Sequence, residues 1–288
     1  MLKPSAPDET PMSEPSVCLT FDFDAVSPWI HIDDGRNSPT NRSRGLFGAE
    51  VGAPRILDVL DEHGVDATWF VPGHTIESFP EVASEVHDYG HEIGHHGWSH
   101  TPPGNFEDRD AERRDIERGI EAIEDLTGAG PDGYRSPSWD YSEHTLDLLL
   151  ELGFEWASNG MARDFEPYYA RPDRAPTDGP YERGEPTDVL EVPISWHRDD
   201  YPWLAFSGDR SKRSVAELFD EWRQSLEWML DTVDEGVFVL TMHPQVMGRT
   251  PNVAHLDEFI GDVKESDATL RTIGEVATER KEGSGRSG

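Results

Sequence analysis

The chain has 288 residues and a single cysteine, Cys18, so no intrachain disulfide can form. It is short of positive charge. Lysine is scarce, and 25 Lys and Arg face 58 Asp and Glu, a formal net charge of −33. A field of that sign repels phosphate, so neither a nucleic acid nor an anionic membrane surface is expected as partner. No run of about 18 or more apolar residues occurs to cross a bilayer. The opening MLKPSAPDETPMSEPS has no apolar core of a secretory signal, which points to a cytoplasmic location. No GxGxxG or P-loop opens a helix, so nucleotide-binding folds lose support.

What is abundant is acid, spread along the chain rather than gathered in a tail. Such a surface suits concentrated salt, where screening over about 3 Å at 1 M removes most self-repulsion. The expectation is a halophilic source and a protein that gains stability as salt rises. Unfolding followed across a salt series checks this; full stability in dilute buffer counts against it. Cys18 lies in the apolar run Val17-Cys18-Leu19 and is expected to be a buried small hydrophobe, with no activating partner nearby.

Strand-like and helix-like segments alternate. Strands are expected at 17–23, 67–71, 91–96, 133–135, 154–157, 189–193 and 237–242. Helices are expected at 52–63, 80–89, 108–126, 142–152, after a Ser214/Glu217 capping box, at 255–265 and at 273–280. The polar, Pro-rich stretch 158–188 reads as an irregular insertion. Alternation of this kind implies an α/β fold with a parallel sheet, closed or partly closed into a barrel. Residues 1–16 are expected to be a disordered arm, 17–280 one catalytic domain and 281–288 a flexible tail.

Reactive side chains follow four of the strand-like runs, the edge where α/β barrels carry active sites. In Thr20-Phe21-Asp22-Phe23-Asp24-Ala25, residues two apart share a side of an extended chain, so Asp22 and Asp24 face one cavity. Carboxylates this close need a cation or a proton between them. Gly90-His91-Glu92-Ile93-Gly94-His95-His96-Gly97-Trp98-Ser99-His100 holds four histidines. His96 and His100 could meet one metal across a helical turn; His95 is a rival ligand, and His91 is expected to be structural. Imidazole with carboxylate suits Zn²⁺, with Co²⁺, Ni²⁺ or Fe²⁺ in similar geometry. Arg135, ahead of the Pro-stiffened loop Ser136-Pro137-Ser138-Trp139, can grip a carboxylate. His243 ends a buried strand in Leu240-Thr241-Met242-His243-Pro244 and taken alone is suggestive only.

The ordered set TFDFDA, GHEIGHHGWSH, YRSPSW, VPISW and LTMHP resembles the polysaccharide deacetylase family, also called the NodB-homology or carbohydrate esterase 4 fold, over roughly residues 17–275. The resemblance implies a distorted (β/α) barrel of about seven strands and one divalent metal. The family's common first motif has adjacent acids; here Phe23 separates them. That departure, with SRGLFGAEVGAPRILDVL, WHRDDYPW and HPQVMGR, is similar to a D-x-D subgroup containing cytoplasmic peptidoglycan-deacetylase-like proteins and cyclic-imide hydrolases. A related branch of metal-free allantoinases lacks the ligands this chain keeps.

Carried over residue by residue, the resemblance implies Asp24, His96 and His100 as metal ligands, with zinc the favoured ion. It implies Asp22 as general base, Arg135 as its orienting partner and His243 as general acid. Asp199 or Asp200 would pair with His243. Ser138, Trp139, Trp196, Asp199 and Asp200 are substrate-binding candidates, and Trp203 is a further candidate for the pocket lining. The implied activity is hydrolysis of a non-peptide C–N bond, foremost deacetylation of an N-acetylated sugar. Alternatives are a cyclic-imide or small cyclic-amide hydrolase and a carbohydrate-binding module that has lost catalysis. The subgroup also implies a homo-oligomer, dimer or tetramer.

Overall fold

The computed structural model describes residues 14–31, 37–205 and 213–283. Most of the expected arm, and residues 284–288 of the expected tail, lie outside the described residues. The last helix, Ile273–Gly283, runs into the stretch expected to be tail.

Nine strands form one sheet among the described residues: β1 (Ser16–Asp22), β2 (Thr68–Val71), β3 (Glu92–His95), β4 (Gly133–Tyr134), β5 (Trp156–Ala157), β6 (Tyr168–Tyr169), β7 (Leu190–Glu191), β8 (Val237–Met242) and β9 (Thr269–Leu270). The order is β6-β7-β5-β4-β3-β2-β1-β8, with β9 added to β1. The path from β7 to β8 is parallel throughout and supplies the seven strands expected. Only β6, inside the insertion 158–188, pairs antiparallel. The sheet curls into a half-barrel. The chain leaving β7 reaches its far edge, where Asp199 makes a parallel bridge to Thr241 of β8. That crossing carries Asp199 and Asp200 to His243.

Strands β1, β2 and β8 are buried along their whole length, as apolar runs covered on both faces must be. Phe21 and Phe23 pack on Trp69, with ring centroids at 4.6 and 6.0 Å. Outside them lie helices whose apolar stripes were visible as 3.6-residue periods. Helix Val215–Thr232 buries Leu218, Phe219, Trp222, Leu226 and Met229. Phe219 and Trp222 meet Phe259 of helix Asn252–Glu265 at 5.8 and 6.3 Å. Helix Arg109–Thr127 starts on Asp108, whose carboxylate accepts from Ala111 N at 2.8 Å, and stops at left-handed Gly128.

Three local expectations are corrected. Ser214 occupies the cap position of its helix, but its side chain makes no capping hydrogen bond. The helix expected at 52–63 is the end of a longer helical stretch: Pro39–Phe47, a π-turn at Gly48–Gly52, then Ala53–His63. Residues 96–100 form no helical turn. They are a loop in which Gly97 and His100 take positive φ of 69° and 57°. Among the described residues no helix is long and apolar enough to cross a membrane.

Candidate active site

The C-terminal ends of β1, β3, β4 and β8 converge on one pocket of about 290 Å³. Its lining includes Asp22, Asp24, His96, His100, Ser138, Trp139, Trp196, Asp199 and His243, so ten of the eleven candidates reach it or, like Arg135, stand directly behind it. The eleventh, Asp200, is fully buried one step further back, against His243. Trp203 is not among the lining residues; it packs on the main core instead, with Arg213 over its ring.

Asp24, His96 and His100 form the tightest group. His96 Nε2 and His100 Nε2 lie 3.5 and 3.3 Å from Asp24 Oδ1, a buried oxygen with no hydrogen bond. His96 Nδ1 donates to Arg135 O at 2.7 Å, which turns the Nε2 lone pair toward Asp24. One orphaned carboxylate oxygen and two convergent imidazoles, all buried, are the donor set a divalent cation needs. A buried acceptor without a donor is costly to leave in place, and a cation would satisfy it. The residues therefore fit a metal.

The loop brings the two histidines together where a helical turn was expected. Asp115, from helix Arg109–Thr127, accepts from Trp98 N at 2.8 Å and Ser99 N at 3.0 Å and so pins it. His95 is excluded as a ligand. Its Nε2 donates to Ile116 O at 3.0 Å, and its Nδ1 accepts from Gly97 N at 3.1 Å. Burial pushes its pKa down to about 3, in keeping with a neutral ring using both nitrogens structurally. His91 is buried between Trp69 and Tyr89, away from the pocket.

Asp22 stands beside this group but is held differently. Its Oδ1 accepts from Arg135 Nη1 at 2.8 Å. Arg135 is itself fully buried and spends its other donors on Thr20 Oγ1, Ser158 O and Ser158 Oγ, with Phe70 under its plane. Burial alone would raise the Asp22 carboxyl, but Arg135, His96 and His243 outweigh it and hold it below the usual carboxylate range. Asp22 Oδ2 points into the pocket, 4.0 Å from His96 Nε2 and 3.9 Å from His243 Nε2.

On the opposite wall, His243 Nδ1 meets Asp200 Oδ1 at 2.8 Å, while Asp200 Oδ2 accepts from His243 N at 3.1 Å. Asp199 lies further off, at 3.6 Å, and its Oδ1 accepts from Tyr201 N. The choice between the two acids, open in the sequence, goes to Asp200 on geometry. Burial disfavours the imidazolium of His243, yet Asp200, Asp199 and Asp24 outweigh it and raise His243 well above its ordinary value. Cys18 plays no part: it is buried in β1, its thiol against Thr272 O, and burial pushes its pKa up.

The third wall is the loop after β4. Ser138 and Trp139 take left-handed φ of 61° and 55°. Ser136 N and Oγ both donate to Asn159 Oδ1, and buried Glu191 accepts from Asn159 N and Gly160 N, so this strained turn is clamped from β7. Trp139 stacks on Trp196 at 4.3 Å, and Trp196 is half exposed at the mouth.

Sequence reasoning missed two supports. Gln245 Nε2 donates to Asp24 Oδ2 at 3.1 Å, leaving Oδ1 for the histidines. Glycines 45 and 52 let the helical stretch touch active-site backbone directly: a Cβ at Gly45 would stand 2.3 Å from Ala25 O, and one at Gly52 would stand 2.2 Å from Pro244 O. The signal was present in SRGLFGAEVG, whose Gly45, Gly48 and Gly52 share one helical face. Gly45→Ala is expected to cost about 1–3 kcal/mol by overpacking. It should also lower turnover, because the atom in the way is backbone next to Asp24. Denaturant unfolding and a rate measurement check both.

A family model for polysaccharide deacetylase matches residues 9–157. The chain is 37% identical over 262 residues to a peptidoglycan deacetylase of Helicobacter pylori, covering 85% of this chain and 88% of that protein. It is 27% identical to a peptidoglycan deacetylase-like protein of Gibberella zeae, over 86% of this chain and 80% of that one. A crystal structure of a Mycobacterium smegmatis protein, provisionally described as a polysaccharide deacetylase, superposes with a TM-score of 0.80 at 36% identity, covering 97% of this chain and 94% of that one.

Proposed function

The chain belongs to the polysaccharide deacetylase family, and on that premise we propose that it is a zinc-dependent hydrolase that removes the acetyl group from an N-acetylated amino sugar. The observation that carries this reading is the arrangement around one pocket of three distinct parts: a convergent Asp24/His96/His100 donor set, Asp22 clamped by Arg135, and His243 clamped by Asp200. The set is intact, which gives no support to a module that has lost catalysis. The similarity to peptidoglycan deacetylases favours an amino sugar over a cyclic imide or small cyclic amide.

Asp24, His96 and His100 would hold the ion. A divalent cation so bound supplies Lewis acidity toward the acyl carbonyl and toward water. Asp22 Oδ2 takes the proton from the attacking water, since Oδ1 is occupied by Arg135, and that ion pair keeps the carboxylate deprotonated and ready. His243 Nε2 faces the pocket and donates a proton to the departing nitrogen as the C–N bond breaks, so the amine leaves neutral and acetate remains. Asp200 fixes the His243 ring through Nδ1, which sets the direction in which Nε2 delivers. The turn at Ser138 and Trp139 is suited to present a backbone N–H to the developing oxyanion, and the Trp139/Trp196 pair offers a flat face for a sugar ring. Residues 17–280 are proposed to be one catalytic domain.

The test is acetate release from N-acetylglucosamine oligomers and from peptidoglycan, with Zn²⁺ or Co²⁺ added, beside cyclic imides and allantoin as comparison substrates. Release from the amino sugars alone is expected; turnover of only an imide or allantoin overturns the reading. Asp200→Asn is expected to lower kcat by about 10²-fold, the lower end of what a general acid contributes, with KM little changed. Steady-state kinetics decides it.

A further inference from the structure

Beside the catalytic pocket lies a second cavity of about 280 Å³ whose lining includes Arg44 and Arg249. Trp29, Tyr201 and Gln245 line both spaces, so the two adjoin. Arg249 follows the turn after His243 at the exposed rim of the cavity, where two contacts hold it. Its guanidinium lies over the Phe47 ring, 3.8 Å from the centroid, and its Nε donates to Gln245 O at 3.1 Å. Among the described residues no carboxylate pairs with Arg249, and neither of its terminal nitrogens makes a hydrogen bond.

Arg109, Arg113, Arg118, Arg223, Arg271 and Arg280 each pair with a carboxylate, whereas Arg55, Arg163, Arg171 and Arg198, like Arg249, bond backbone carbonyls. With 58 acids against 25 basic residues, carboxylate partners are plentiful. Arg249 instead faces a second cation: burial, then the charge of Arg44, lowers its pKa. Arg44 sits over Trp29, 6.0 Å from the ring, on the wall shared with the catalytic pocket. Two guanidiniums converging on a cavity, with one terminal fork left open, form a receptor for a planar or tetrahedral oxyanion.

We propose that this cavity is a substrate subsite for an anionic substituent, a carboxylate or a phosphate, on the sugar whose N-acetyl group enters the catalytic pocket. The proposal rests on the deacetylase reading and narrows it to acidic amino sugars. The charge balance gives the reason for such a device. Asp22, Asp24 and Asp199 line the catalytic pocket, and the chain carries a formal net charge of −33, so an acidic substrate needs a local positive anchor to approach.

The experiment is calorimetric binding of N-acetylmuramic acid, N-acetylglucosamine 6-phosphate and N-acetylglucosamine to the full chain, with and without Zn²⁺. The same titrations are run on Arg249→Gln and Arg249→Lys. At least one charged sugar is expected to bind about tenfold or more tightly than the neutral one, the scale of a hydrogen-bonded charge contact. The carboxylate and phosphate arms tell which oxyanion fits. Added salt should shrink the preference; Arg249→Gln should erase it, and Arg249→Lys should restore part of it. Arg249 is exposed, so thermal unfolding of the variants should stay near that of the parent. Charged sugars binding no more tightly than the neutral one, including no measurable binding by any, overturn the proposal. So does a preference that survives Arg249→Gln. Acetate release is scored separately: a charge preference with no release from any amino-sugar substrate overturns the deacetylase reading and leaves the anion subsite standing.

Discussion

Asp22→Asn is expected to abolish useful turnover while the metal content stays near that of the parent. Asn keeps the shape and can still lie against Arg135, but it has no basic oxygen to receive the proton of the attacking water. General-base catalysis supplies about 10²–10⁴-fold, and a loss of that order or more should appear in kcat. Asp22 Oδ2 is 4.0 Å from His96 Nε2, whereas Asp24 Oδ1 is within 3.5 Å of both histidines. The donor set therefore survives the substitution. Elemental analysis alongside steady-state rates separates the two acids. A variant with parental activity would falsify the base assignment, and a variant that loses the ion would make Asp22 a ligand.

The second large effect belongs to the histidines. His100→Ala or His96→Ala should strip the ion and lower activity by at least about a thousandfold, since the cation's Lewis acidity is worth several kcal/mol of transition-state stabilisation. Of the two, His96→Ala should also disturb the fold, because His96 Nδ1 bonds Arg135 O and so links the ends of β3 and β4. His100 has no such second task; its Nδ1 makes no hydrogen bond. Unfolding curves with and without a chelator should thus differ between the variants. Loss of metal with unchanged stability is expected for His100→Ala measured in chelator. Full metal occupancy in either variant would remove that residue from the ligand set.

Much of the fold was legible in the sequence because the buried strands are apolar runs and the helices keep a 3.6-residue stripe. Residues 237–242 were read as a strand and form β8, and Ser16–Asp22 differs from its expected bounds by one residue at each end. The two-residue strands were less exact. At β4, β5 and β7 the pairing partner, not the local residues, decides where a strand begins. The long helical stretch before Ala53 was missed because a π-turn and three glycines blur its period. The capping box failed because position alone does not make the hydrogen bond.

Within the site, the sequence by itself determined which chemistries are available: two acids set one residue apart at the end of an apolar strand, a histidine cluster, a buried-strand histidine and an arginine before a stiff turn. Residue type and strand period are local properties, and they survive without a structure. Only the tertiary structure decided which acid serves which partner. Asp200 rather than Asp199 holds His243, His95 turns inward to Ile116, and Gln245 orients Asp24. Each of these depends on a distance between segments far apart in the chain, set by how the sheet curls and where the crossing after β7 lands. The same holds for Arg249, an ordinary arginine in sequence. Folding brings it beside Arg44 at the edge of the catalytic pocket, and like charges so placed can be recognised only in three dimensions.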